Sequence, residues 1–209
     1  MDVDRSQTSP SSATNAQARA NARAAPATVS ESALRAVVTA LTTMNARDSS
    51  SIDDEKGKLS ELALVGEGIG GRAAERASRG LAPCASEHDA VVRACKELWM
   101  FLHGKRIDKL KTNNKGVFVL HDDAFMAMRA VGGTGNESSD ERIVARALAL
   151  HAGALRGALR AFGVECDVVG EISRSTSTQG VVSGARAAPA LRAPAPAVAF
   201  SVTLARARA

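Results

Sequence analysis

The pattern of apolar residues predicts one domain of the α/β (α+β) class, with about four helices packed on one side of an antiparallel sheet. The first half of the chain shows helical periodicity up to residue 104, and a hairpin pattern follows it. A further long helical segment then precedes two segments in which apolar and polar residues alternate. With 209 residues, the chain is long enough to bury a hydrophobic core.

Residues 1–29 predict a disordered tail. This Ala-, Ser- and Arg-rich segment has no apolar periodicity, so it cannot bury enough surface to offset the entropy lost on ordering. An organelle transit peptide is the alternative, because the segment contains Arg and Ser and few acids. Asp2 and Asp4 weigh against that alternative. The folded domain is expected to occupy residues 30–209.

Three helices are predicted before residue 104. The first begins at Ser30, a favourable N-cap, and the second spans about Lys58 to Arg79 after a loop from Asn45 to Gly57. The third begins after Ser86, with Asp89 three residues later as a weak capping-box partner. The apolar stripe of the first helix consists of Leu34, Val37, Val38 and Leu41.

A β-hairpin is predicted next. The segments Ile107–Thr112 and Val117–His121 flank Asn113–Gly116, which contains residue types that tolerate positive φ.

The fourth helix is expected to begin at Ser139 or Asp140 and to end at Gly163, a natural position for a C-terminal glycine. It contains Gly153 and Gly157, one turn apart. Glycine in a helix interior costs about 1 kcal/mol relative to alanine. Close approach by another backbone is therefore expected at these two positions.

Two more strands complete the predicted sheet, at Val164–Ile172 and Val198–Leu204. Between them, residues 173–196 are rich in Ser, Gly, Ala and Pro and predict a flexible insertion, because a connection of that length between paired strands is unusual.

The charged and sulfur-containing residues exclude several classes of function. The net charge is only +5 and aromatic residues make up 3%, so neither a stacking platform nor a dense basic stripe for nucleic acid is present. Three scattered cysteines predict reduced cytosolic thiols, and neither they nor the four histidines show metal-ligand spacing. No apolar run approaches the roughly 20 residues of a membrane span.

A basic cluster lies in the middle of the chain. A solvated surface is the favoured interpretation, and attraction to an anionic membrane face, worth about 1 kcal/mol per basic residue, is the alternative. The cluster consists of Lys105, Arg106, Lys109, Lys111 and Lys115.

The segment from Gly66 to Gly71 matches G-x-G-x-x-G, which favours a dinucleotide-binding enzyme as an alternative function. That fingerprint also requires a preceding strand and a second strand ending in an acid about 20 residues later. Neither is evident here, so glycines on a packed helix face are the preferred interpretation.

No enzyme signature is found elsewhere. His121, Asp122 and Asp123 are adjacent, but neighbours on a strand point in different directions, so a turn and helix cap are favoured over acid–base chemistry. The glycine run 132–135 lacks the lysine of a phosphate-binding loop. No catalytic residue, cofactor or metal is assigned.

Three segments together resemble the small TRAPP subunits of the Bet/Trs family, most closely the branch called subunit six. Members of that branch read approximately C-K-D-x-W, then D-x-L-R-T-N-H-x-G-x-Y-V-L-x-D, then C-G-L-I-R-G-A-L. Asn114 replaces the His of the second motif and Phe118 replaces its Tyr. The matching segments are 94–99, 105–122 and 151–159, and residues 65–76 match a further helix motif more loosely.

The resemblance implies helices on one side of a twisted antiparallel sheet. It also implies a non-enzymatic scaffold or adaptor of the TRAPP vesicle-tethering complex that pairs with a related subunit through its first helices. The expected interface residues are Leu34, Val37, Val38 and Leu41.

The resemblance further implies a place for the chain in its cell. The assembly would support nucleotide exchange on a Rab GTPase in ER-to-Golgi and Golgi trafficking, and the chain would be cytoplasmic and peripheral at those membranes. Another branch of the family carries an acylated cysteine before its third helix. Cys84 has similar spacing, so it is a candidate lipidation site, although a structural thiol is preferred.

Overall fold

The structure is a computed structural model that describes residues 36–37, 40–41, 52–125, 127–128, 137–173 and 196–205. Three helices and four strands lie in these ranges. Helix α1 is Ile52–Ala77, helix α2 runs from Glu87 to His103, and helix α3 is Glu137–Ala161. The strands are β1 Lys109–Thr112, β2 Val117–Asp122, β3 Cys166–Ile172 and β4 Val198–Leu204.

The combination of helices with an antiparallel sheet is confirmed, but the prediction of about four helices is wrong for the described residues, which contain three. The difference arises at the first predicted helix. Only Ala36, Val37, Ala40 and Leu41 of that helix are described, and all four are helical. They are called the first helical segment below. The predicted tail at 1–29 and most of the insertion at 173–196 lie outside the described residues.

Helix α1 begins at Ile52, so the prediction of a loop as far as Gly57 is wrong. Its first turn contains three acids, which are favourable at the positive end of a helix dipole. One of them, Glu55, binds Arg146 of α3 with an Nη2–Oε2 distance of 2.6 Å. This partner, distant in sequence, stabilises a turn whose own composition is polar.

Helices α1 and α3 run side by side in the same direction at very short distance. A Cβ atom on Gly153 would lie 2.1 Å from the Ala63 carbonyl oxygen, and one on Gly157 would lie 2.1 Å from that of Glu67. Gly66 makes the reciprocal contact, since its Cβ would lie 2.1 Å from the Leu150 carbonyl oxygen. The predicted close backbone approach at Gly153 and Gly157 is therefore present, and α1 is the approaching element.

Helix α2 contains a π-helical turn at Ala94–Leu98 between α-helical segments Glu87–Arg93 and Trp99–His103. Ser86 caps its start by accepting a hydrogen bond from the Asp89 amide at 3.1 Å. Near the π turn the carbonyl of Cys95 accepts a hydrogen bond of 3.1 Å from the Ile107 amide. The irregular turn thus ties α2 to the segment that leads into the hairpin.

The strands form one antiparallel sheet in the order β1-β2-β4-β3. The hairpin turn has Asn114 at φ 56° and Gly116 at φ 85°, as its residue types predicted. Strand β4 occupies the centre and pairs with β2 and β3 on its two sides. The core lies between the sheet and the helices, where Trp99, Phe125 and Phe200 contact one another.

Candidate subunit interface

The helical layer leaves an apolar surface exposed. Val37 of the first helical segment is 51% exposed, and on α1 Leu64 is 65% and Val65 45% exposed. These three residues, with half-buried Leu41 and Ile69, are called the helical patch. Side chains of this size normally contribute to a core, so their exposure on one layer favours contact with another protein.

The position of the patch follows from the packing of α1. Gly66 and Gly70 face α3, where added Cβ atoms would clash with its backbone. Successive helix residues differ by about 100°, so Leu64 and Val65 both lie outside the face formed by Gly66 and Gly70, with Val65 on the flank of Ile69 and Leu64 on the other flank. Val65 lies one turn from Ile69, which contacts the core. The Val65 side of the patch is therefore continuous with the edge of the core.

A small cavity of about 30 Å³ lies beneath the patch, between the first helical segment and all three helices. Its walls are mainly apolar, with two histidines as the exceptions. The lining residues are Val37, Leu41, Gly66, Ile69, Leu102, His103, Leu150, His151 and Ala154.

The two described residues of the predicted interface stripe, Val37 and Leu41, differ in exposure. Val37 is exposed, whereas Leu41 is half-buried and packs against the core. Leu34 and Val38 lie outside the described residues. Leu64 and Val65 were missed by the sequence pattern, because the apolar run 62–65 surrounds the helix and gives no preferred face.

The two histidines of the cavity are held in an apolar environment. Burial lowers the pKa of His151 to about 4, although its Nδ1 lies 2.7 Å from the Ala147 carbonyl oxygen. Burial also lowers the pKa of His103 well below its usual value, and the nearby His151 and Lys105 add to that effect. The ring centroids of the pair are 5.2 Å apart, and Nε2 of His103 is buried without a hydrogen-bond partner.

Asp122 joins the hairpin to α2. It is fully buried and accepts hydrogen bonds from Trp99 Nε1 at 2.8 Å and from Lys105 Nζ at 2.6 Å. Lys105 also binds Asp108 at 2.7 Å. Burial alone would lower the pKa of Lys105, but hydrogen bonds to the two carboxylates outweigh it and raise that pKa. Asp122 therefore has structural partners in both α2 and the segment that follows it.

The basic cluster is partly neutralised. Lys105 binds two aspartates, and Lys109 binds Asp123 at 2.8 Å. Arg106, Lys111 and Lys115 are exposed, which leaves a modest positive surface near β1.

The glycine motif of residues 66–71 lies inside the continuous helix α1 rather than in a turn between a strand and a helix. The backbone amides there belong to the interior of a helix, where the helix's own carbonyls bind them, so they do not form a cradle for a pyrophosphate. Of the three glycines of the motif, Gly66 and Gly71 lie on the face that packs against α3, whereas a Cβ on Gly68 would meet no atom within 4 Å.

The cysteines differ in environment. Burial raises the pKa of the Cys95 thiol to about 12 and that of Cys166 to about 11. Cys84 is half-buried between α1 and α2 and contacts the core. Its acylation stays a prediction. Within the described ranges, no group of three His, Cys, Asp or Glu side chains has metal-binding geometry. No helix in those ranges has the length and hydropathy of a membrane span.

This fold leaves apolar side chains exposed on its helical layer, which favours contact with another protein. Residues 26–183 match the family model described as Transport protein particle (TRAPP) component. The match covers most of the chain, which therefore belongs to the TRAPP component family.

Proteins similar to this chain include several named as subunit 6 of the trafficking protein particle complex. The chain is 32% identical over 119 residues to Trafficking protein particle complex subunit 6A of Homo sapiens, covering 57% of this chain and 73% of that protein. It is 30% identical over 122 residues to subunit 6b of Danio rerio, covering 58% and 76%. An uncharacterized protein of Schizosaccharomyces pombe is 28% identical over 126 residues, covering 60% and 49%.

Proposed function

We propose that this chain is a non-enzymatic scaffold subunit of a TRAPP complex that acts in vesicle trafficking. Membership of the TRAPP component family and similarity to proteins named as subunits 6A and 6b support this role. The resemblance of residues 94–122 and 151–159 to the subunit-six branch points the same way.

The helical patch is the observation that carries the proposal. In it, Val37, Leu64 and Val65 present apolar surface that the described part of the chain does not cover. The patch is the surface through which the chain pairs with a related small TRAPP subunit. Leu41 and Ile69 support it from below, because both pack against the core.

The further parts of the proposal follow from the family. The complex would support guanine-nucleotide exchange on a Rab GTPase, while this chain holds related subunits in place and performs no chemistry itself. It would act in the cytoplasm, at the surface of Golgi and ER–Golgi membranes. Arg106, Lys111 and Lys115 would add weak attraction to anionic lipids.

The pairing is tested by co-expressing the full chain with a related small TRAPP subunit from the same cell and by size-exclusion chromatography. Val37→Asp and Leu64→Glu place charge on exposed positions of the patch, so they are expected to weaken the complex at least about tenfold, since a buried unpaired charge costs several kcal/mol. Leu41→Asp is less informative because Leu41 also supports the core.

Leu81→Glu is the control, because Leu81 is also an exposed apolar residue but lies in the loop after α1, outside the helical patch. The control is expected to leave the heterodimer intact. An undiminished complex with Val37→Asp and Leu64→Glu combined, in a variant with normal circular dichroism, would contradict this interface. Nucleotide exchange by the purified chain alone would contradict the scaffold role.

A further inference from the structure

Strand β3 forms one edge of the sheet, and the direction of its backbone groups can be assigned. Just beyond its C-terminal end, the backbone amide of Ser173 donates a hydrogen bond to the Ala197 carbonyl at 2.9 Å. Just before its N-terminal end, the Glu165 carbonyl accepts one from the backbone amide of Ala205 at 3.0 Å. Residues 173 and 165 are both hydrogen-bonded to the neighbouring β4 segment, and in an antiparallel ladder such residues alternate. Odd-numbered residues of β3 therefore bond to β4. The backbone groups that face the open edge belong to Cys166, Val168, Gly170 and Ile172.

This edge differs from the other edge of the sheet. Strand β1 has four residues and presents Lys109 and Lys111, a common means of preventing strand addition. Strand β3 has seven residues and presents Val169, which is 65% exposed, at its centre. Within the ranges that the structure describes, no strand pairs with the outer edge of β3. A long edge with an exposed valine is a template for an added strand.

The charges beside Val169 indicate which strand fits. Asp167 and Glu171 lie two residues before and after it, so all three side chains emerge on the same face of the sheet. Glu171 is exposed, whereas Glu165 at the start of the strand lies near Arg160, with a shortest distance of 3.4 Å. Asp167 is half-buried and lines a polar pocket with Arg156 and Arg160, so Glu171 is the exposed carboxylate beside the apolar centre.

The same charges oppose pairing between two copies of this chain. Antiparallel pairing of two β3 strands about Val169 would place Asp167 of one copy directly opposite Glu171 of the other. Like charges directly opposite each other destabilise a strand pair, whereas opposite charges contribute roughly 0.2–1 kcal/mol. An incoming strand with a basic residue opposite Glu171 would gain the favourable interaction at that position.

We propose that the open edge of β3 binds an extended segment of a partner protein by strand addition, with an apolar residue opposite Val169 and a basic residue opposite Glu171. Backbone hydrogen bonds to the four even-numbered residues would supply affinity, and the side chains of Val169 and Glu171 would select the sequence. The site lies on the sheet, away from the helical patch, and does not depend on the family assignment.

The test uses the full chain and a capped seven-residue peptide in which lysine, valine and lysine alternate with threonine. Amide hydrogen exchange is followed by NMR. In the free chain, the amides of Val169 and Glu171 are expected to be protected by β4, and those of Val168 and Gly170 are expected to exchange rapidly. Saturating peptide is expected to slow the exchange of the Val168 and Gly170 amides. A peptide with glutamate in place of both lysines is expected to bind at least about tenfold more weakly.

Two variants locate the effect. Glu171→Lys and Val169→Glu change exposed side chains, so both should fold, and each is expected to lower peptide affinity about tenfold. Leu81→Glu, at an exposed position in the loop between α1 and α2, is the control and should leave affinity unchanged. Protection of Val168 and Gly170 in the free chain would show that the edge is already occupied, by this chain or a second copy, and would overturn the proposal. So would equal binding of the acidic peptide, or absence of peptide binding.

Discussion

Arg146 of α3 and Glu55 of α1 form a two-point ion pair across 91 residues of sequence, with Nε–Oε1 and Nη2–Oε2 distances of 2.7 and 2.6 Å. The side chain of Arg146 is only 1% exposed, and that of Glu55 is 17% exposed. The pair joins the first turn of α1 to α3 on the N-terminal side of the glycine contacts, so it stabilises the start of α1 and the alignment of the two helices.

Replacing Glu55 is expected to destabilise the fold strongly. Glu55→Ala leaves the buried Arg146 guanidinium without this carboxylate, and loss of one member of a buried pair costs about 3 kcal/mol. The free energy of unfolding, from urea denaturation followed by circular dichroism, is the measurement.

Lys109→Gln is the control for that experiment. It removes an ion pair with Asp123 in which both side chains are more than half exposed, so its effect is expected to be below about 1 kcal/mol. Equal losses of unfolding free energy in the two variants would show that the buried Arg146–Glu55 pair stabilises the fold no more than an exposed ion pair does.

The glycines between α1 and α3 are expected to tolerate no side chain. Gly153→Ala would place a methyl group 2.1 Å from the Ala63 carbonyl oxygen, so the helices must separate, at a cost of about 2 kcal/mol. Gly68→Ala is the matched change on the same pair of helices. A Cβ there would meet no atom within 4 Å, so the variant should gain about 1 kcal/mol from helix propensity. Thermal unfolding of both variants provides the comparison, and a stabilised Gly153→Ala protein would contradict the packing.

Features with local causes were predictable from the sequence. The hairpin follows from the turn residues Asn113–Gly116, and the start of α2 follows from the Ser86 cap. The glycines at 153 and 157 signalled a close backbone contact because their cost in a helix requires compensation. The partner of that contact was not identifiable, since α1 is nearly 90 residues earlier in the chain.

Features with distant causes were not predictable. The amino-acid composition of the first turn of α1 is polar, as in a loop. The turn is bound by Arg146, which is so distant in sequence that no local pattern could predict the contact. The π turn of α2 accompanies a hydrogen bond from Ile107 to Cys95 that no local pattern indicates. For the candidate interface, the apolar stripe indicated Val37, but the exposure of Leu64 and Val65 depends on which side of α1 meets α3.

Asp122 is expected to be essential for the packing of the single tryptophan. Asp122→Ala would remove the acceptor of Trp99 Nε1 and the buried partner of Lys105, at a cost of about 3 kcal/mol. The tryptophan emission maximum should shift to longer wavelength as water enters. Asp122→Asn retains an acceptor for the indole and should preserve the emission maximum while losing part of the stability. An unchanged spectrum in Asp122→Ala would contradict this role of the carboxylate.

Stability is expected to fall below neutral pH because of the two histidines that line the cavity. The pKa of His151 is lowered to about 4 by burial and that of His103 is lowered by burial, His151 and Lys105, whereas an unfolded histidine titrates near 6.5. As pH falls below about 6.5, the unfolded chain binds protons that the folded chain does not, so the free energy of unfolding decreases by up to about 1.4 kcal/mol per pH unit for each histidine. Urea midpoints measured from pH 7.5 to 5, above the range of carboxylate titration, give the slope of stability against pH.

The variant His103→Phe tests this account. It keeps a ring against Trp99 and removes a buried, unpartnered nitrogen, so it is expected to reduce the slope without loss of stability at pH 7.5. An identical slope in the variant would show that the folded and unfolded states bind the same number of protons at His103 in this pH range.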